Sequence, residues 1–183
     1  AVAAAAGALG AALAEMVARL TTGRKAYAEV EVAMDAIAVQ AGVLRQKLLD
    51  AVPGDVAAFA AVLAAYRLPK DDPNRAGAIQ VALRGAADVP LAVARAALAA
   101  MKLAGQVAAQ GNRNAVTDAM AGIHLALAAV EVAGLNVRAN VASMDADEVS
   151  ARYLQEIEAI VEEAHTTSAA LLAAASARAG FGA

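Results

Sequence analysis

Polar and charged residues of this sequence gather in four short clusters within an otherwise apolar, alanine-rich chain. Their asparagine, aspartate and lysine side chains could hydrogen-bond a ligand, transfer a proton or hold an anion. Binding groups tend to lie on loops carried by a rigid scaffold, so four such clusters could converge on one pocket. The clusters are TTGRKAY (21–27), YRLPKDDPNR (66–75), GNRNAVTD (111–118) and NVRAN (136–140).

Two pairs within these clusters have helical spacing. Asn114 and Asp118 are four residues apart, as are Asn136 and Asn140, so each pair shares one helix face. Burying an unpaired amide costs about 1–3 kcal/mol, so Asn136 and Asn140 indicate either an interhelical hydrogen bond or a ligand contact. Asp118 is either a buried general acid or base, or a first-turn carboxylate favoured by the helix dipole.

The other candidates are single cations and aromatic side chains. Lys25, Lys70 and Arg75 either bind an anionic ligand or are solvated surface cations. Tyr27 and Tyr66 flank two of the clusters, a position more typical of packing anchors than of catalysts. None of these residues identifies a reaction by itself.

Composition excludes several classes of site and partner. The chain has no cysteine and two histidines, which excludes disulfides and thiolate ligands and argues against a histidine zinc site; we expect no metal. The net charge is −3 and the 15 Lys and Arg are scattered, so we expect no nucleic-acid partner. We also expect no window of about 20 mostly apolar residues with few charges, and hence no membrane partner. The absence of cysteine fits a cytoplasmic location.

Apolar residues recur at helical spacing almost throughout, and only 3% of residues are aromatic. Alanine has the highest helix propensity, whereas strands favour aromatic and β-branched residues. The sequence therefore predicts an all-α fold: one domain over residues 1–183, a bundle of five to six long helices. Helices of this length project beyond a small core, so we expect an oligomer, and a homodimer first.

Glycine and proline positions predict the helix boundaries. Pro53 should begin a turn, Asp55 should cap a short separate helix, and Pro90 should kink or divide a later one. Asp145 with Glu148 resembles a capping box, and the last six residues should fray. The six predicted segments are 2–20, 25–50, 55–68, 75–110, 114–142 and 145–177.

Six motifs in this order resemble the C-terminal domain of formiminotransferase-cyclodeaminase and the stand-alone methenyltetrahydrofolate cyclohydrolases similar to it. The resemblance covers nearly the whole chain and implies a helical, oligomeric fold that acts on a tetrahydrofolate derivative, either monoglutamyl or polyglutamylated, with no further cofactor. The motifs are VAAAAGALGAALAEMVARLTTGRKAY (2–27), DVAAFAAVLAAYRLPK (55–70), Arg75, DVPLAVA (88–94), GNRNAVTDA (111–119) and LNVRAN (135–140).

The resemblance, combined with chemistry, implies residue roles. Asp118 is the only carboxylate inside the GNRNAVTD motif and is expected to transfer protons, with Lys25 as the second catalytic candidate. Lys70 and Arg75 suit the carboxylates of the glutamate tail. The remaining substrate-binding candidates, suited to hydrogen-bonding the pterin or the reacting nitrogen, are Asn112, Asn114, Asn136, Asn140 and Tyr27.

Three departures from the family pattern leave a second function open. A glycine-rich PGGGS-like loop is typical before the first helix, whereas this sequence starts at Ala1 without an initiator methionine, so we expect it to begin inside a longer chain. The loop after Lys70 is short, and Thr117 stands where serine is usual. The alternative to a cyclodeaminase or cyclohydrolase is therefore a non-catalytic helical module that binds folate or a protein.

Overall fold

The computed structural model describes residues 1–181, which form five α-helices and two short 3-10 segments and contain no strand. The all-α prediction is confirmed. In chain order the helices are α1 (Val2–Arg19), α2 (Glu31–Tyr66), α3 (Arg75–Gln110), α4 (Val116–Val141) and α5 (Glu148–Ala179), with 3-10 segments at Lys25–Val30 and Arg113–Ala115.

Small residues bring α1 and α4 into close contact at the centre of the bundle. The two helices run antiparallel, because Gly7 approaches Ala129 whereas Gly10 approaches Gly122. A Cβ atom added to Gly10 would lie 2.9 Å from the Gly122 carbonyl oxygen, too close for any side chain. Alanine and glycine therefore set the spacing of these helices, as the composition indicates.

The predicted turn at Pro53 and the separate helix beginning at Asp55 are wrong. A single α2 passes through Pro53, which lacks the N–H that would bond to the Leu49 carbonyl. Packing on both sides of the proline offsets that loss: Leu48 is fully buried in the main core, and Ala65 is buried in a smaller cluster against α3. Asp55 consequently lies within the helix and caps nothing.

The end of the chain also differs from the prediction. Asp147 and Ser150, rather than Asp145 and Glu148, form the capping box of α5. Arg178 is not frayed: it belongs to α5 and donates hydrogen bonds to the carbonyl oxygens of Ala108 (2.8 Å) and Gly111. The helix ends at Gly180, whose φ of 81° lies in the left-handed region. The last two residues of the predicted frayed tail lie outside the described part.

Two ionisable side chains link neighbouring helices. Glu15 of α1 accepts hydrogen bonds from Arg45 of α2 (2.9 Å) and from Arg19 (2.9 Å), and the Arg45 bond is the main cause that lowers the Glu15 pKa. Tyr153 of α5 donates to Asp88 of α3 at 2.5 Å. Burial first, and then this bond, raises the Tyr153 pKa to about 12.

By length and composition, four helical stretches of the described chain are apolar enough to cross a membrane, so the prediction that no window qualifies is wrong. Three of these windows are 44–72% buried in the protein, whereas the window in Lys25–Tyr66 is only 11% buried. Apolar side chains thus line the outer surface of α2. The most exposed of them are Val32, Val39, Val43, Val56 and Phe59.

Candidate functional site

The predicted site residues divide into two groups at opposite ends of the bundle. Asp118 lies in the first turn of α4 and Asn140 in its last turn. The 22 intervening steps, at about 1.5 Å each, separate these two residues by about 33 Å. One chain therefore does not bring all four polar clusters to a single pocket. It brings the first cluster to the third, and the second cluster to the fourth.

Asn112 and Tyr27 organise the end that carries Asp118. Asn112 is only 4% exposed; its side-chain Nδ2 donates to the Leu20 carbonyl (3.2 Å), and its Oδ1 accepts from the Asn114 backbone N–H (3.1 Å). The Tyr27 hydroxyl accepts a hydrogen bond from the backbone N–H of Arg113 (3.0 Å). Both side chains thus fasten the turn between α3 and α4 to the segment that follows α1.

Asp118 and Lys25 remain available at this end. Asp118 is half-buried, Lys25 is exposed, and neither forms an ion pair with any residue that the structure describes. Asn114 beside them has an exposed side chain. The arrangement provides a carboxylate and an ammonium group that no internal partner neutralises.

A cavity of about 320 Å³ occupies the other end, where the second half of α2 meets α3 and the last turns of α4. Its volume lies at the lower limit of small-molecule sites. Two of the chain's five phenylalanine and tyrosine residues line it, together with a carboxylate, two amides and a hydroxyl. These lining residues are Asp55, Phe59, Tyr66, Asn136, Asn140 and Ser143.

Asn140 has a structural partner that the sequence does not reveal. Pro90 lies inside α3 without dividing it, and its missing N–H leaves the carbonyl of Ala86, four residues earlier, without a helical donor. The Asn140 Nδ2 donates to this carbonyl at 2.9 Å and to the Asn136 carbonyl at 3.0 Å. For Asn140 the interhelical hydrogen bond is therefore present, and within residues 1–181 nothing donates to its side-chain oxygen.

Asn136 differs, because its half-buried side chain makes no hydrogen bond within residues 1–181 although it faces the cavity. An amide held in this way is available to a ligand.

A second cavity of about 400 Å³ adjoins the first, and the two share Tyr66 and Ser143. Arg75 lines this second cavity; its guanidinium also donates to the carbonyls of Leu68 (3.2 Å) and Tyr66 (3.4 Å) at the end of α2. Lys70 is exposed on the intervening loop. The cations predicted for a substrate tail thus lie on the cavity side of the molecule, far from Asp118.

Sequence reasoning missed Asp55, Phe59 and Ser143 as cavity residues. Asp55, Phe59, Val62 and Tyr66 follow the i, i+4, i+7, i+11 pattern of one helix face, but only if the helix continues past Pro53. The backbone nitrogen of Ala1 lies 2.7 Å from Asp55 Oδ2, so the start of α1 borders the cavity. Among residues 1–181 no group of three His, Asp or Glu side chains is placed to hold a metal ion.

Comparison with known proteins relates these features to a family. The formiminotransferase-cyclodeaminase family model matches residues 1–159. The chain is 40% identical to the methenyltetrahydrofolate cyclohydrolase of Methylorubrum extorquens, over 86% of this chain and 78% of that protein. It is 34% identical to the formimidoyltransferase-cyclodeaminase of Sus scrofa, over 93% of this chain but only 32% of that longer protein.

A solved structure agrees with these matches. The crystal structure of formiminotetrahydrofolate cyclodeaminase from Thermotoga maritima superimposes with a TM-score of 0.82, at 28% identity, over 98% of this chain and 86% of that one. The resemblance drawn from the six motifs is therefore confirmed, and the chain belongs to the formiminotransferase-cyclodeaminase family.

Proposed function

We propose that this chain is an enzyme of tetrahydrofolate one-carbon chemistry, and specifically a methenyltetrahydrofolate cyclohydrolase. The observation that carries the proposal is the cavity between the second half of α2, α3 and the end of α4. There the amide of Asn136, which has no hydrogen-bond partner within residues 1–181, lies among aromatic side chains in an otherwise apolar bundle. The named cyclohydrolase relative supports the specific activity, because it is 40% identical and similar in length.

The proposed reaction adds water to the methenyl carbon that bridges two folate nitrogens. The water oxygen bonds to that carbon and one of its protons passes to a base. One carbon–nitrogen bond of the tetrahedral intermediate then breaks as the remaining hydroxyl proton leaves, which gives a formyl group. The departing nitrogen takes a proton. We assign this proton transfer to Asp118 and assign stabilisation of the departing or attacking group to Lys25.

A second activity also passes through a tetrahedral carbon between two nitrogens, which carries an amino group in place of the hydroxyl group. A cyclodeaminase closes a formimino group onto the neighbouring nitrogen and releases ammonia, and the similarity to the Thermotoga maritima cyclodeaminase favours it. Purified protein should be given methenyltetrahydrofolate and, separately, formiminotetrahydrofolate, with methenyl absorbance followed in both. Loss of absorbance with the first substrate supports the hydrolase, whereas a gain with the second and no loss with the first supports the deaminase. Folate binding without either change would support the non-catalytic module.

The active unit in this proposal is a homodimer. Asp118 and the Asn136 cavity lie at opposite ends of α4, farther apart than a single monoglutamyl folate reaches. A twofold axis perpendicular to the helices would bring the Asp118 end of one chain to the cavity of its partner. The exposed apolar side chains along α2, among them Val32 at 85% exposure, support such a contact.

Subunit complementation tests the shared site. Asp118→Asn and Asn136→Ala should each abolish most turnover, and chains carrying them should be co-expressed with different tags. A mixed dimer then has one site with both changes and one site with neither, so random pairing should restore about a quarter of wild-type activity.

The matched control mixes Asp118→Asn with Lys25→Ala. These residues lie at the same end of one chain, so no mixed dimer contains an unaltered site and activity should stay at the level of the parent variants. If the Asp118→Asn and Asn136→Ala mixture also stays inactive, each site lies within one chain and the dimeric proposal is wrong.

Lys70 and Arg75 complete the proposed site by holding the glutamate tail. Lys70→Ala should raise KM for a polyglutamylated substrate more than for the monoglutamate and leave kcat unchanged, because the lost contact is distant from the one-carbon unit. Equal KM values for the variant and the wild type with both substrates would remove Lys70 from the site.

A further inference from the structure

Asp55 is the carboxylate in the first cavity, and nothing in the sequence motifs assigns it a role there. It lies on the same face of α2 as Phe59, Val62 and Tyr66. One oxygen, Oδ2, lies beside the backbone nitrogen of Ala1 at the start of α1, while Oδ1 has no partner among the described residues. This cavity therefore offers a negatively charged acceptor beside aromatic side chains.

We propose that Asp55 selects the pterin ring by accepting hydrogen bonds from its N3–H and 2-amino groups; this inference rests on the proposed folate function. These two donors lie on one edge of the ring, a pattern that a carboxylate matches better than any neutral side chain. Asn136, with its free amide, supplies a donor for the 4-oxo group. The two donors on the polar edge of the ring thus meet an acceptor, and its 4-oxo acceptor meets a donor.

The aromatic side chains of the cavity can stack on the faces of the pterin ring. Phe59 is 63% exposed in the isolated chain although it belongs to a mostly apolar helix face, and Tyr66 lies two turns further along. A flat heterocycle stacks favourably on such side chains. The cavity volume of about 320 Å³ suits a two-ring system but not a complete folate.

The adjoining cavity then indicates where the rest of the folate lies. With the pterin beside Asp55, the one-carbon bridge lies at the wall that Tyr66 and Ser143 share between the two cavities. The benzoylglutamate continues into the cavity of about 400 Å³ that Arg75 lines. A carboxylate at the pterin end and a guanidinium at the tail end orient the substrate in one sense only.

The decisive experiment compares two ligands that differ only at the recognised edge. Binding of 5-formyltetrahydrofolate and of its 2-deamino-2-methyl analogue should be measured by calorimetry for wild type and Asp55→Asn. The wild type should prefer the natural ligand at least tenfold; the variant should bind it about 10- to 100-fold more weakly and lose the preference. The control is Asp35→Asn, an exposed carboxylate of the same helix outside the cavity, which should behave like wild type.

Turnover in the same preparations separates this inference from the proposed function. If the wild type hydrolyses methenyltetrahydrofolate but Asp55→Asn retains the full preference, Asp55 does not recognise the pterin and only this inference is wrong. If the wild type neither binds nor converts any folate, the proposed function itself is wrong.

Phe59→Leu provides a second variant, because an exposed side chain can be changed without unfolding the chain. It should weaken both ligands several-fold and equally, since stacking does not depend on the 2-substituent. If this variant instead changes the sedimentation of the protein and leaves both affinities intact, Phe59 belongs to a subunit interface and the proposed stacking is wrong.

Discussion

Replacement of Asn140 by alanine tests how α4 stabilises the proline-containing helix beside it. The variant removes the one side-chain donor that residues 1–181 supply to the Ala86 carbonyl, which Pro90 leaves without a helical partner. Ala86 is 8% exposed and lines the first cavity, so water replaces the lost bond only in part. Leaving a buried carbonyl unpaired costs about 1–3 kcal/mol, and we expect unfolding free energy to fall by about 2 kcal/mol.

The same change should cost less when position 90 has an N–H. In a Pro90→Ala background the alanine N–H can bond to the Ala86 carbonyl within α3, so Asn140→Ala should cost under about 1 kcal/mol. The double-mutant cycle should therefore give a coupling energy of about 1–2 kcal/mol.

Urea denaturation, followed by circular dichroism at one fixed protein concentration, measures all four proteins on the same scale. Asn136→Ala is the matched control, because this residue lies one turn away and its side chain makes no hydrogen bond within the described part; it should change stability by less than about 0.5 kcal/mol. Equal costs of Asn140→Ala in both backgrounds would refute the link between the asparagine and the proline.

Three further predictions concern the packing and the outer helices. Gly10→Ala should destabilise the fold by about 1–3 kcal/mol, because its Cβ would meet the Gly122 carbonyl oxygen at 2.9 Å; an unchanged melting temperature would contradict the close approach. The raised Tyr153 pKa means that stability should fall as pH rises from 10 towards 12, and Tyr153→Phe should remove that alkaline loss in pH-dependent unfolding. The lowered Glu15 pKa acts in the opposite sense: its contribution is full above pH 4.5 and lost below it, so Glu15→Gln should cost about 0.5–1 kcal/mol at neutral pH and flatten the acid limb.

Local sequence patterns predicted most helices but failed where packing overrode them. The sequence predicted a turn at Pro53 and a kink or break at Pro90, yet each proline lies inside a continuous helix. At Pro90 the Asn140 side chain of another helix supplies the hydrogen bond that the proline cannot donate. A partner so distant along the chain cannot be recognised from local periodicity. Asp55 was interpreted as a cap for the same reason, so its place in a cavity was missed.

The sequence alone determined the helical class, the small-residue core and the family, because helix propensity, apolar periodicity and ordered motifs are properties of the chain itself. It also identified the polar clusters from which the candidate site is built. Only the tertiary structure decided which clusters meet. The length of α4 alone separates Asp118 from Asn140. The packing of the other helices decides that Tyr27 lies at the first end of α4 and Tyr66 at the second, because partners so distant along the chain leave no local sequence pattern.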